Sequence, residues 1–262
     1  MRISNEKRWR RNLPTAALVA VFTGAALMGV VFLAEKKISS QPVLAELPAP
    51  SATRLFLIDA GHGGEDGGTK GFGAQEKDLA LQVALQLAQE LRGRGFDVAH
   101  TRETDVAVSL DERVEMANRL RPTALLSIHF NYSAQAPAAT GIEVYYSARK
   151  EFSAQSAPAV VLAQPALSSC ADSRALAASV LKSSSVAADT PARALREREG
   201  LAVLRRTACP AILIECGYLS HKSDAFRAPQ ERWQKQLARG IAEGVEVWAT
   251  TARDGVVAGS PR

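Results

Sequence analysis

Three cysteines in 262 residues, Cys170, Cys209 and Cys216, are an odd count that cannot all pair within one chain, and they define no disulfide framework. None stands in a CxxC spacing, so nothing points to a zinc site built on cysteine. Charge of one sign is equally scarce once the chain is divided. Residues 1–50 hold seven Lys or Arg against three Asp or Glu, whereas residues 51–262 hold 25 against 24. The formal net charge of +5 therefore belongs mostly to the N-terminus, and a nucleic-acid-binding surface loses its main support. Also missing are the GxxxxGK[ST] order of a phosphate loop, the GxGxxG fingerprint and any internal repeat. What remains is 47% hydrophobic and 23% charged, a balance that excludes wholesale disorder and a polytopic membrane protein.

Leu13–Ala34 contains 22 residues without a charge, long enough at about 1.5 Å per residue to cross a hydrocarbon core of roughly 30 Å. Arg2, Lys7, Arg8, Arg10 and Arg11 precede it and only Glu6 opposes them. The positive-inside rule then keeps residues 1–12 cytoplasmic and places the bulk of the chain across the inner membrane, on the periplasmic side. A cleaved signal peptide is the alternative, with secretion to the periplasm; its apolar stretch is usually only about 7–15 residues. Residues 35–53, with prolines, serines and scattered charges, read as a linker.

From residue 54 the pattern is that of an α/β domain extending to 249. Leu55–Ile58, Phe96–His100, Ala124–Ile128, Ile142–Tyr146, Leu201–Leu204 and Ala211–Ile214 read as short strands. Helices are expected over Lys77–Arg92, Leu110–Leu120, Ala171–Ala188 and Trp233–Trp248. Residues 147–170, broken by Pro158 and Pro165, read as an insertion, and residues 250–262 as a disordered tail.

In an open α/β sheet, ligands collect outside the carboxyl ends of the strands. Four reactive side chains fall there: His62 after the first strand, Glu76 where the Gly-rich loop GHGGEDGGTKGFGAQE meets the first helix, His129 after the third strand and Glu215 after a late one. Two imidazoles and a carboxylate form a ligand set that zinc uses in catalytic sites, leaving a position for water. A further carboxylate is then left to handle protons, a division suited to hydrolysis of a carbonyl compound. Each residue alone has a plain structural explanation, and convergence of all four on one sheet edge is what points to chemistry.

The blocks Asp59-Ala-Gly-His-Gly-Gly64, Glu76-Lys-Asp78, Thr101-Arg102-x-x-Asp105 with Ser109-Leu110-x-x-Arg113-x-x-x-Ala117-Asn118, Ser127-Ile-His-x-Asn131, Gly141-x-Glu-Val-Tyr145 and Pro210-Ala-Ile-Leu-Ile-Glu-Cys-Gly-Tyr-Leu-Ser220 occur in this order. Together they resemble the zinc-dependent N-acetylmuramoyl-L-alanine amidases of the type 3 family. The resemblance implies a single catalytic domain with a mixed, mostly parallel sheet of about six strands flanked by helices. It implies hydrolysis of the amide between the lactyl group of N-acetylmuramic acid and L-alanine in peptidoglycan, with His62, Glu76 and His129 as zinc ligands and Glu215 as the catalytic glutamate. Arg102, Arg113 and Asn118 match motif positions and are equally well explained as a structural brace. Division-associated members carry an insertion that plugs the zinc site until a protein activator binds, and residues 147–170 lie in a comparable place. The alternatives are a peptidoglycan-binding or regulatory protein of weak catalysis on the same fold, and a zinc deacetylase or peptidase acting on another wall amide. His221, Cys216 and His100 are expected to lie outside the site.

Overall fold

The computed structural model describes residues 54–148 and 170–257, with backbone alone at 170–171 and 252–257. The segment expected to span a membrane (13–34), the linker (35–53) and most of the insertion lie outside the described residues. Among the described residues no helix is long and apolar enough to cross a membrane.

The apolar runs become strands β1 (Leu55–Ala60), β4 (Asp97–His100), β5 (Ala124–Asn131), β6 (Ile142–Tyr146), β7 (Ala192–Glu197) and β8 (Ala211–Tyr218), in the sheet order β4-β1-β5-β8-β6-β7. All neighbours are parallel except β6 and β8, which run antiparallel, so the sheet is mixed and mostly parallel. Phe56, Leu57, Ile58 and Ala60 of β1 are fully buried, as a central strand covered on both faces requires. A second, two-stranded ribbon, β2 (Lys70–Gly71) and β3 (Ala74–Gln75), folds within the Gly-rich loop.

Helices α1 (Glu76–Gly93), α3 (Cys170–Ala187) and α6 (Glu231–Val257) supply the larger core on one face of the sheet. In α1, Leu79, Val83, Leu87 and Leu91 recur every four residues and are buried, each contributing about 1.5–3 kcal/mol relative to exposure. The stripe Leu237, Ile241 and Val245 of α6 does the same. On the other face, α2 (Leu110–Leu120) and the short α4 (Ala202–Arg205) pack over Leu57, Leu125 and Leu213. Ser109 and Glu112 close α2 with a reciprocal capping box. A last short helix, α5 (Lys222–Arg227), follows β8.

Several elements differ from the sequence reading. Leu201–Leu204, expected as a strand, forms most of α4: a four-residue apolar run has no period of its own, and Val203 and Leu204 bury against the sheet as one helical turn. The sixth strand is instead β7, an Arg-bearing edge strand with one neighbour and little apolar signal. The closing helix continues past residue 249 to Val257, into the segment expected as tail. No proline interrupts it, and the hydroxyls of Thr250 and Thr251 return to carbonyls three and four residues back.

Beneath the carboxyl end of β1 lies a buried ionic brace. Asp59 accepts hydrogen bonds from Thr101 Oγ1 (2.7 Å), Ser127 Oγ (2.7 Å) and Arg113. Arg113 also donates to the carbonyls of Ala60 and His62, both at 2.7 Å, and Arg102 to those of Ala60 (2.9 Å) and Gly61 (2.7 Å). Three successive carbonyls that leave the strand are thus satisfied by guanidinium groups. Asn118, as a brace, ties α2 to the chain before β8 through Arg206 and Ala208.

Burial alone would raise the Asp59 carboxyl, but Arg113, Ser127, the neighbouring His129 and Thr101 together hold it below the ordinary aspartate value. A carboxylate depressed in the folded state contributes stability that is present above its unfolded pKa of about 3.9 and is lost as pH falls through the folded value. Asp59→Asn is therefore expected to lower stability at pH 7 by about 3–5 kcal/mol, because it leaves Arg113 buried without its charge partner. The deficit relative to wild type narrows below about pH 4. Denaturant titrations of both proteins at pH 7 and pH 3 check this, and a deficit unchanged by pH contradicts it.

Candidate active site

β1 ends at Ala60, and the chain then turns through Gly61 and His62, whose φ of 59° lies in the left-handed region. Few side chains adopt that conformation without support. Here the carbonyl of His62 is held by Arg113, and Gly63 and Gly64, also at positive φ, follow it. Gly61 is required for a different reason, since a Cβ there would overlap the His129 ring. The ribbon β2–β3 then delivers Glu76 as the first residue of α1, with Glu76 N donating to Thr69 O (2.9 Å).

At Glu76 three chain segments meet. Its Oε1 lies 3.0 Å from His62 Nε2 and 2.8 Å from His129 Nδ1, and accepts from Phe130 N at 3.1 Å. Its Oε2 accepts from Thr69 N at 2.8 Å. The side chain is almost wholly buried, and the rings of His62 and His129 stand nearly perpendicular with centroids 5.0 Å apart. Burial acts to raise the Glu76 carboxyl, yet the bonds from His129, His62 and Thr69 outweigh it and keep the group far below the usual carboxylate range. Burial likewise acts to lower His62, and its contacts with Glu76 and Asp66 raise it instead.

The donor atoms of His62, Glu76 and His129 all lie within 4.8 Å of one another, the one such group among the described residues that could hold a metal ion. Gly68, at φ +63°, clears the space beside them: a Cβ there would stand 2.6 Å from Glu76 Oε2 and 2.7 Å from His62 Cδ2. The chemistry of the set, two imidazoles and one carboxylate, fits zinc.

β5 runs three residues beyond its expected end and β8 four, so His129 and Glu215 lie within strands. The reason is that the β5–β8 ladder continues through His129 and Glu215 and, after an irregularity, to Asn131 and Tyr218. Register partners project from the same face, which sets Glu215 one strand over from His129. Although Glu215 is only partly buried as a residue, its Oε2 is enclosed and has no hydrogen-bond partner among the described residues. Burial, with the charges of Glu76 and Glu143 nearby, pushes its pKa well above the ordinary value. A carboxyl in that state can carry a proton, the property a general acid and base needs.

Asp66 was not legible as part of this arrangement. Its Oδ2 lies 2.8 Å from His62 Nδ1, which orients the ring with Nε2 toward Glu76, and its Oδ1 accepts from Gly68 N at 3.0 Å. A carboxylate four residues after a histidine in a Gly-rich turn is the only sequence signal it gives. Cys216 projects to the opposite face, into the larger core, so it is no nucleophile for this site. His221 precedes α5 with Nδ1 3.1 Å from Ser223 Oγ, and the side chain of His100, in β4, is enclosed beside Glu103; neither joins the trio.

The family model for N-acetylmuramoyl-L-alanine amidase, Amidase_3, matches residues 56–247. A sporulation-specific N-acetylmuramoyl-L-alanine amidase of Bacillus subtilis is 33% identical over 193 residues, which cover 73% of this chain and 66% of that protein. The chain thus spans about two thirds of that relative. The crystal structure of an N-acetylmuramoyl-L-alanine amidase from Clostridium difficile 630 superposes with a TM-score of 0.65 at 32% identity, covering 76% of this chain and 98% of that one. The amidase AmiC2 of Nostoc punctiforme gives 0.64 at 32%, covering 75% and 97%. With the described fold, the ordered motifs and a match across most of the domain in agreement, the chain belongs to the Amidase_3 family of N-acetylmuramoyl-L-alanine amidases.

Proposed function

We propose that the chain carries out its family's reaction, hydrolysis of the amide between N-acetylmuramic acid and L-alanine in peptidoglycan, with one zinc ion held by His62, Glu76 and His129 and with Glu215 as proton shuttle. The observation that carries this reading is the convergence of three donors from separate segments beside an enclosed carboxyl oxygen that has no hydrogen-bond partner among the described residues. When bound, zinc supplies Lewis acidity, polarising a scissile carbonyl and bringing the pKa of water toward about 7. The chain's own part is positional and protonic. Asp66 fixes the His62 ring, Arg102 and Arg113 hold the turn that presents it, and the bonds from Thr69 and Phe130 fix the Glu76 carboxylate. Glu215, one strand over from His129 in the same sheet row, takes a proton from the attacking water and delivers it to the departing nitrogen.

Metal content tests the ligand set. Purified wild-type protein should hold one zinc per chain, and His62→Ala and His129→Ala should lose it while remaining folded. Asp66→Ala, which frees the ring without removing a ligand, should weaken zinc binding by about 10–100-fold. Full zinc retention in either histidine variant contradicts the assignment.

Turnover tests Glu215. Glu215→Ala should keep its zinc and lose activity by about 10²–10⁴-fold on purified peptidoglycan. Mass analysis of the digest should show free peptides beginning with L-alanine; released acetate would indicate a deacetylase, and shortened stems a peptidase. Near-wild-type activity in the variant removes Glu215 from the reaction.

We further infer an anchored enzyme, with residues 13–34 spanning the inner membrane and the catalytic domain periplasmic, in cell-wall remodelling, daughter-cell separation or lysis. The uncharged stretch and its basic N-terminal flank support this. Full-length protein should fractionate with membranes and be digested by protease added to spheroplasts. Recovery of a soluble protein shortened at its N-terminus would instead indicate a cleaved signal.

A further inference from the structure

The sheet row that contains His129 and Glu215 does not stop there. Glu143 of β6 is the antiparallel register partner of Glu215, so it stands on the same face one strand farther along. It is 1% exposed and ionised, with Oε1 accepting from Arg193 Nε (2.9 Å), Arg196 Nε (3.1 Å) and Arg196 Nη2 (3.0 Å), and Oε2 from Tyr145 Oη (2.5 Å). Both arginines come from the edge strand β7, which the motif blocks do not include. Arg193 also lies over the Tyr218 ring, and Arg198, just beyond β7, over that of Tyr145.

One buried carboxylate needs one cation, and here two are in contact with it. The arginine side chains remain 35% and 45% exposed. A guanidinium has five N–H donors. Arg193 gives one to Glu143 and Arg196 two, so donors remain on both. The result is a positively charged rim, fixed in position by its own buried counter-ion, beside the carboxyl assigned to proton transfer. Planar, anchored guanidinium groups of this kind recognise carboxylates through paired hydrogen bonds.

We propose that Arg193 and Arg196 form a subsite for a carboxylate on the peptide half of the substrate, so that the enzyme selects acidic stems. This inference rests on the amidase reading, which makes the leaving group a peptide. Strand spacing sets Glu143 about 5 Å from Glu215. An extended peptide advances about 3.5 Å per residue, so a carboxylate on the second residue of the leaving peptide falls within reach of the guanidiniums that meet Glu143. Glu143 is the positioning residue, and the two arginines determine specificity.

The test compares two muramoyl-L-alanyl peptides, one whose second residue carries a free carboxylate and one with that carboxylate amidated, as substrates of the zinc-loaded full chain. Wild type should favour the acid by at least about tenfold in kcat/KM, the ratio that one charge-assisted contact sustains. That preference should shrink as ionic strength rises. Arg193→Gln and Arg196→Gln each leave one arginine on Glu143, and each should bring the ratio down to about threefold or less. Because the readout is a ratio, a general loss of folded enzyme does not mimic the result. A wild-type ratio near one, or a ratio the variants do not change, overturns the subsite while leaving the amidase reading intact. Release of no L-alanyl peptide from either compound overturns both.

Discussion

Everything in the site depends on the carboxylate of Glu76 being buried where three segments of chain meet. A charge out of water is tolerated only when it is fully paired. Here the pairing comes from two imidazoles and two backbone amides. Those contacts set His62 after β1 and His129 within β5 against α1, the arrangement in which all three side chains would face one cation. The cost of burying the carboxylate also explains the form of the loop before it: Gly61 and Gly68 leave no side chain between the donors.

The parallel strands β1, β5 and β8 bring their carboxyl ends to one edge, and the chemistry is distributed along it by strand register. Asp59, Ser127 and the two arginines form the buried layer beneath. The trio sits above it, and Glu215 and then Glu143 continue the row. Neighbouring acids would repel one another if all were equally ionised. The structure separates their behaviour through their partners: Glu76 is held charged by histidines and amides, Glu143 is paired with arginines, and Glu215, one of whose oxygens has no hydrogen-bond partner among the described residues, is the one pushed toward protonation. This division provides the proposed hydrolase with fixed anions and one proton carrier.

Much of this was legible because the important residues follow strongly patterned elements. Leu55–Ile58 and Ala211–Ile214 are continuous apolar runs, and the four-residue stripe of α1 leaves no ambiguity about its inward face. His62, Glu76, His129 and Glu215 could be placed by counting from those elements. The features not legible depend on tertiary context. β7 has arginines where a strand signal would be, because its polar side chains answer to Glu143 rather than to the core. Leu201–Leu204 lacks a period and takes its helical turn from the surface it covers. Asp66 has no meaning until the backbone turns at His62 and brings its carboxylate against the ring. The ends of β5 and β8 depend on their mutual pairing, which neither sequence displays alone.

The most direct measurement of the central claim is an anomalous difference map at the zinc edge from crystals of the zinc-loaded chain. One peak coordinated by His62 Nε2, the Glu76 carboxylate and His129 Nδ1, with Glu215 close by but not bound to it, is the predicted result. Zinc bound elsewhere, or bound by only one of the three side chains, would contradict it.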